Sequence, residues 1–149
     1  MNRRCPNNKY VGVGNIIDQE WIINERGYAN IIETLTERVY GLVYELGPGD
    51  EKRLDKFEGF PEAYTKHTME VWLEGEDGDG EVGPGVEALV YIDKKRTKEG
   101  KPKEEYIHRI NKGVDDATAK GMPEDYVEAY IRRFIPAEKK EKEAVPVAA

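Results

Sequence analysis

A single cysteine, Cys5, leaves the chain unable to form an internal disulfide. That points to a reducing, cytoplasmic setting. A lone cysteine near a terminus, with neither histidine close to it in sequence, is a poor candidate nucleophile. The two histidines, His67 and His108, lack metal-ligand spacing, so no metal is expected and both should be surface or half-buried structural groups. No apolar run approaches the roughly 18 to 20 residues needed to cross a bilayer. The start, Met1 to Pro6, carries two arginines but no apolar stretch behind them, which excludes a secretory signal. Positive charge is also scarce. With a formal net charge of −7 and only short basic clusters at Arg3–Arg4 and Lys94 to Arg96, a nucleic-acid partner is not expected. Gly12 and Gly14 follow a strand-like run, but the third glycine of a dinucleotide fingerprint is missing and no helix opens there.

What is present suits one hydrated globular domain. The 149 residues are 38% hydrophobic and 36% charged, enough for a single core. Short strand patterns fall at residues 10–14, 21–23, 29–32 and 39–46, with Asn24 to Gly27 reading as a turn. Gly47, Pro48 and Gly49 stop the last of these. A short helix follows, with Asp50 as a capping residue, Leu54 and Phe57 as its apolar face, and Gly59 and Pro61 ending it. Residues 64–73 and 86–92 read as strands. Between them, residues 74–85 hold five glycines and five acidic residues and read as a solvated loop. Helical spacing then places Tyr106, Ile107, Ile110, Val114 and Ala117 on one face over residues 104–119. Pro123 opens a second helix with Tyr126, Val127, Tyr130, Ile131 and Phe134 as its buried stripe. The domain is expected over residues 1–136, and the tail at 137–149 should be disordered. The order of elements predicts an α+β fold with a small mixed β-barrel and packed helices.

Glu58 is the residue whose position suggests chemistry. It lies four residues after Leu54 and so shares the core-facing side of the short helix. It also sits at the helix C-terminus, where the backbone dipole is negative. Burial and the dipole both disfavour its ionised form, which is the setting of a general acid–base carboxyl. Glu51 and Asp55 are expected to reach solvent. The plainer reading has Glu58 pointing out of the core or paired with Lys56 or Lys66. Tyr64 and Tyr106 likewise read from pattern alone as packed aromatics, each with one partner for its hydroxyl.

Several ordered blocks carry a resemblance. Tyr40 to Tyr44 (YGLVY), Leu54 to Gly59 (LDKFEG) and Tyr64 resemble the γ-glutamylcyclotransferase family. So do Arg4 to Pro6, Val11 to Gly14, Trp21, Ile23 to Asn30 (INERGYAN), Tyr91–Ile92, Tyr106–Ile107, Gly121 to Pro123 and Tyr126. The resemblance covers about residues 3 to 136. It implies a small β-barrel with helices around a cavity. It also implies an amine-releasing cyclotransferase that converts γ-glutamyl amino acids, amines or peptides into 5-oxoproline and a free amine. No metal or organic cofactor is implied. Glu58 matches the catalytic glutamate, Tyr106 a tyrosine that helps bind substrate, and Tyr64 another that lines the pocket.

Members usually begin with a strand ending in Tyr-Gly-Ser-Asn, whose loop cradles the substrate. That tetrapeptide does not occur among the 149 residues. The expectation is therefore either an active enzyme whose start lies upstream, a chain in which another segment substitutes, or a catalytically impaired module that binds a γ-glutamyl ligand or a protein without turnover. A missing strand would also leave an exposed edge favouring a homodimer.

Overall fold

The computed structural model describes residues 5–74 and 82–138. Most of the acidic loop and most of the tail, residues 75–81 and 139–149, lie outside the described residues. The described elements run β1 (Lys9–Ile23), β2 (Ala29–Glu45), α1 (Asp50–Phe57), β3 (Thr65–Glu74), β4 (Val82–Ile92), α2 (Glu104–Ala119) and α3 (Glu124–Tyr126), followed by a π-helical turn at Val127–Ile131. The class is α+β. The four short strand patterns of the first half prove to be two long strands. Each contains a polar stretch that hides its continuity, and each contains a residue with positive φ, Asp18 at 58° and Thr36 at 70°. The Asp18 carboxylate accepts the Thr36 N–H at 3.1 Å, where the β1–β2 register slips. A β-branched residue in this conformation needs such a fixed partner.

The sheet order is β2–β1–β3–β4, with all pairs antiparallel. Among the described residues it is not closed into a barrel by a ladder between β2 and β4. A side chain links the two instead: the Asn30 amide donates to the Asp93 carbonyl and its oxygen accepts the Asp93 N–H, both at 2.9 Å. Asn30 thus satisfies backbone groups just past β4 as a paired strand would. Among the described residues β1 and β3 are laddered at Gly14–Leu73 and Asn15–Trp72. Gly14 is required there, because a Cβ would meet Val71 Cγ1 at 2.5 Å and Val43 Cγ2 at 2.9 Å. Close strand packing accounts for this glycine.

The helices pack on Ile23 to form the main core. Val114, Tyr126, Val127, Ile131 and Ile135 are buried against it, with Tyr106, Ile107 and Ile110 around them. The α2 stripe read from helical spacing is the face that packs. The expected helix after Pro123 forms only three α-helical residues and then widens into the π-helical turn. His67 bonds Thr65 at 2.7 Å, and the exposed His108 lies 3.1 Å from Glu138 at the start of the tail.

Candidate functional site

α1 ends in a way that fixes Glu58. Glu58 is the residue that closes the helix, its N–H donating to Leu54 O at 2.8 Å. Gly59 follows with φ 66°, its N–H reaching Lys56 O at 3.3 Å, while Phe60 N–H reaches Asp55 O at 2.9 Å. These bonds form a Schellman stop, and the left-handed residue in it is a glycine because it has no Cβ to clash. At the other end Gly49, and not Asp50, is the capping residue. Asp50 is fully buried, and its carboxylate instead accepts the N–H of Gly47 at 2.9 Å and of Asn7 at 3.3 Å. Leu54 faces the core as expected, but Phe57 is 61% exposed. The apolar face of α1 is therefore narrower than i and i+3 spacing suggests.

Glu58 is half-buried and close enough to Tyr64 and Tyr91 for its charge to raise the pKa of both hydroxyls. In each tyrosine the first cause of the rise is burial. For Tyr64 the neighbouring Tyr106 adds to it, and the Arg26 guanidinium opposes it. Lys66, one of the lysines considered as a partner for Glu58, instead pairs with Glu51 at 2.9 Å and Asp55 at 3.1 Å. Asp55 reaches solvent as expected, with 25% of its side chain exposed, but it is held by partners. It accepts the Tyr91 hydroxyl at 2.6 Å, and this bond, followed by Lys66, holds its pKa below the ordinary value. The Asp55–Tyr91 bond ties α1 to β4 beside Glu58.

Tyr64 and Tyr106 converge on Ala29. The Tyr64 hydroxyl donates to the Ala29 carbonyl at 2.8 Å, and the Tyr106 hydroxyl accepts the Ala29 N–H at 3.3 Å. Tyr106 also packs edge-on against Tyr28, ring centroids 5.2 Å apart. The structure therefore brings Glu58, Tyr64 and Tyr106 to one region, at the junction of α1, the start of β2 and the start of α2. Tyr91, Asp55, Tyr28 and Arg26 join them. Helical and strand periodicity gave these four no role in a site, although all lie inside blocks that carry the family resemblance, Arg26 and Tyr28 at residues 23–30, Asp55 at 54–59 and Tyr91 at 91–92.

Among the described residues no group of three His, Cys, Asp or Glu side chains is placed to hold a metal ion. No described helix is long and apolar enough to cross a membrane.

The arrangement is that of a γ-glutamylcyclotransferase-like fold. A solved structure of a γ-glutamyl cyclotransferase superposes with a TM-score of 0.71 at 18% identity, covering 99% of this chain and 84% of that one. A second, the crystal structure of a Homo sapiens protein described as uncharacterized, superposes with a TM-score of 0.69 at 19% identity over 93% of this chain and 81% of that one. The sequence profile of the AIG2-like family matches residues 38–130, and the chain belongs to that family. No curated protein matches it by sequence.

Proposed function

We propose that the protein is a γ-glutamylcyclotransferase, with Glu58 as its proton-transferring group. The observation that carries this reading is the half-buried Glu58 at the end of α1, near enough to Tyr64 for its charge to act on that hydroxyl, beside the point where Tyr64 and Tyr106 meet at Ala29. In the reaction the substrate's α-amino nitrogen attacks its own γ-carbonyl carbon. A carbon–nitrogen bond forms to close the five-membered ring, and the bond from that carbon to the departing nitrogen breaks. Tethering of the nucleophile removes most of the entropic obstacle. Glu58 takes the proton that the α-ammonium must lose and returns it to the departing amine.

Tyr64 and Tyr106 shape the site in this reading. The Tyr64 proton is engaged by Ala29, so its hydroxyl fixes the backbone and its ring is the part left to meet substrate. Asp55 and Tyr91 are positioning residues that hold α1, and with it Glu58, against β4. Neither a metal nor an organic cofactor has a part in these steps. Incubation of the purified protein with γ-glutamyl-alanine, followed by measurement of 5-oxoproline, tests the reading. Turnover is expected. The competing binding-module reading predicts thermal stabilisation by the ligand with no product.

A further inference from the structure

α1 sorts its charges. Its sequence mixes them, Asp50-Glu-Lys-Arg-Leu-Asp-Lys56, yet its acids and bases are drawn to different surroundings. Asp50 is fully buried, with its carboxylate on the Gly47 and Asn7 N–H groups. Glu51 and Asp55 both turn to Lys66, at 2.9 and 3.1 Å. The three bases are left together. Lys52, Arg53 and Lys56, with Gly49 at the head of the helix, line one open groove of about 310 Å³. All three are exposed. Among the described residues no carboxylate stands within ion-pair distance of Lys52 or Lys56. Arg53 meets Asp50 at 3.2 Å through one nitrogen, and 47% of its side chain stays exposed.

This groove differs from an ordinary hydrated helix face. Lys52 and Lys56 stand four residues apart on one side of the helix, where like charges repel. They do so in a chain whose formal net charge is −7. At Gly49, φ is 78° and a Cβ would stand 3.3 Å from Arg53 Nη1, so a glycine leaves the Arg53 end of the groove clear. The volume is at the low end for small-molecule sites, roughly 300 to 1,000 Å³. The overall negative charge repels a long polyanion, whereas a compact anion meets the local cations. A phosphoryl group carries up to two charges and three acceptor oxygens, enough to meet three cations at once, and a carboxylate carries one charge. We infer that Lys52, Arg53 and Lys56 bind the phosphoryl group of a small ligand in this groove. The site is separate from Glu58, which follows Lys56 by two residues and so lies about 200° round the helix from it. It takes no part in the proton transfer, but an anion held there stabilises the helix that carries Glu58.

Amide chemical shifts of the full-length protein test this, in titrations with sodium phosphate, adenosine monophosphate and adenosine. Ionic strength is held constant with sodium chloride. Phosphate is expected to give saturable shifts at residues 49–56, while adenosine and chloride leave those residues unmoved. Lys52→Gln and Lys56→Gln should each weaken phosphate binding roughly two- to fivefold, the range for an exposed charge pair. The double variant should weaken it by about the product of the two. Arg53→Gln should weaken it more than Arg53→Lys, which keeps the charge and loses the fork of donors. The spectrum of each variant reports whether it is folded, and the single variants serve if the double one folds poorly. Binding of adenosine monophosphate alongside phosphate assigns the site to phosphate esters, and binding of phosphate alone assigns it to the free anion. Absence of saturable shifts, shifts centred away from α1, shifts reproduced by chloride, binding of the nucleotide but not of phosphate, or undiminished binding by the folded lysine variants overturns the inference.

Discussion

Tyr64 and Tyr106, 42 positions apart in sequence, hold opposite ends of one residue: the first donates to the Ala29 carbonyl and the second accepts from the Ala29 N–H. This clamp joins the strand after α1 and the first turn of α2 to the start of β2. Removing the Tyr64 hydroxyl with Tyr64→Phe leaves the Ala29 carbonyl without its donor. The expected loss is about 1 kcal/mol of stability, read from the urea midpoint. In a double-mutant cycle with Tyr106→Phe the two losses should be non-additive, because they share Ala29. Strict additivity would show that the two hydroxyls act independently.

Asn30 provides a second test of the architecture. Its amide serves both backbone groups of the buried Asp93 and also donates to the Arg96 carbonyl at 3.1 Å. Asn30→Ala strands these groups and should cost about 2 to 4 kcal/mol. A variant within 0.5 kcal/mol of wild type, roughly the range of neutral surface changes, would mean that β2 and β4 do not depend on this bridge.

Gly14→Ala places a methyl group against Val71 and Val43, with an expected cost of about 1 to 3 kcal/mol. Val71→Ala in the same chain should recover part of that loss, since the nearer clash is with Val71 Cγ1. Denaturation midpoints of the single and double variants decide the matter, and a double variant that loses the full sum would contradict it.

The Asp55–Tyr91 and Asp55–Lys66 contacts make a prediction about pH. The folded pKa of Asp55 lies below its ordinary value, which is about 3.9 unfolded. Its contribution is therefore present above that value and lost as the pH falls through the lower, folded one. Melting temperatures of wild type and Asp55→Asn should differ at neutral pH and converge as the solution is acidified below about pH 4. Parallel curves would show that the Asp55 charge does not hold α1.

How far these features could be read from the sequence depends on the range of the interactions that create them. The α2 boundaries and its packed face followed from helical spacing, and the α1 stop followed from Gly59, because both are local. β1 and β2 read as fragments, since Asp18 and Thr36 bend the strands where the hydrophobic pattern lapses. The stripe read at Tyr126, Val127, Tyr130, Ile131 and Phe134 does pack on the core, and what a 3.6-residue period does not anticipate is the π-helical turn that carries it. Glu58, Tyr64 and Tyr106 were legible as a set because the family blocks named them together. The pairing of Asp55 was not legible because its partner Tyr91 is 36 positions away, on β4. The meeting of the two tyrosines at Ala29 is likewise a product of tertiary packing, to which no spacing rule refers.

The most direct measurement is the rate of 5-oxoproline release from γ-glutamyl-alanine by wild type and by Glu58→Gln, with matched thermal melts to establish that both are folded. Loss of the proton relay should slow the variant by roughly 10² to 10⁴. A folded Glu58→Gln protein that turns over at the wild-type rate would contradict the assignment of Glu58.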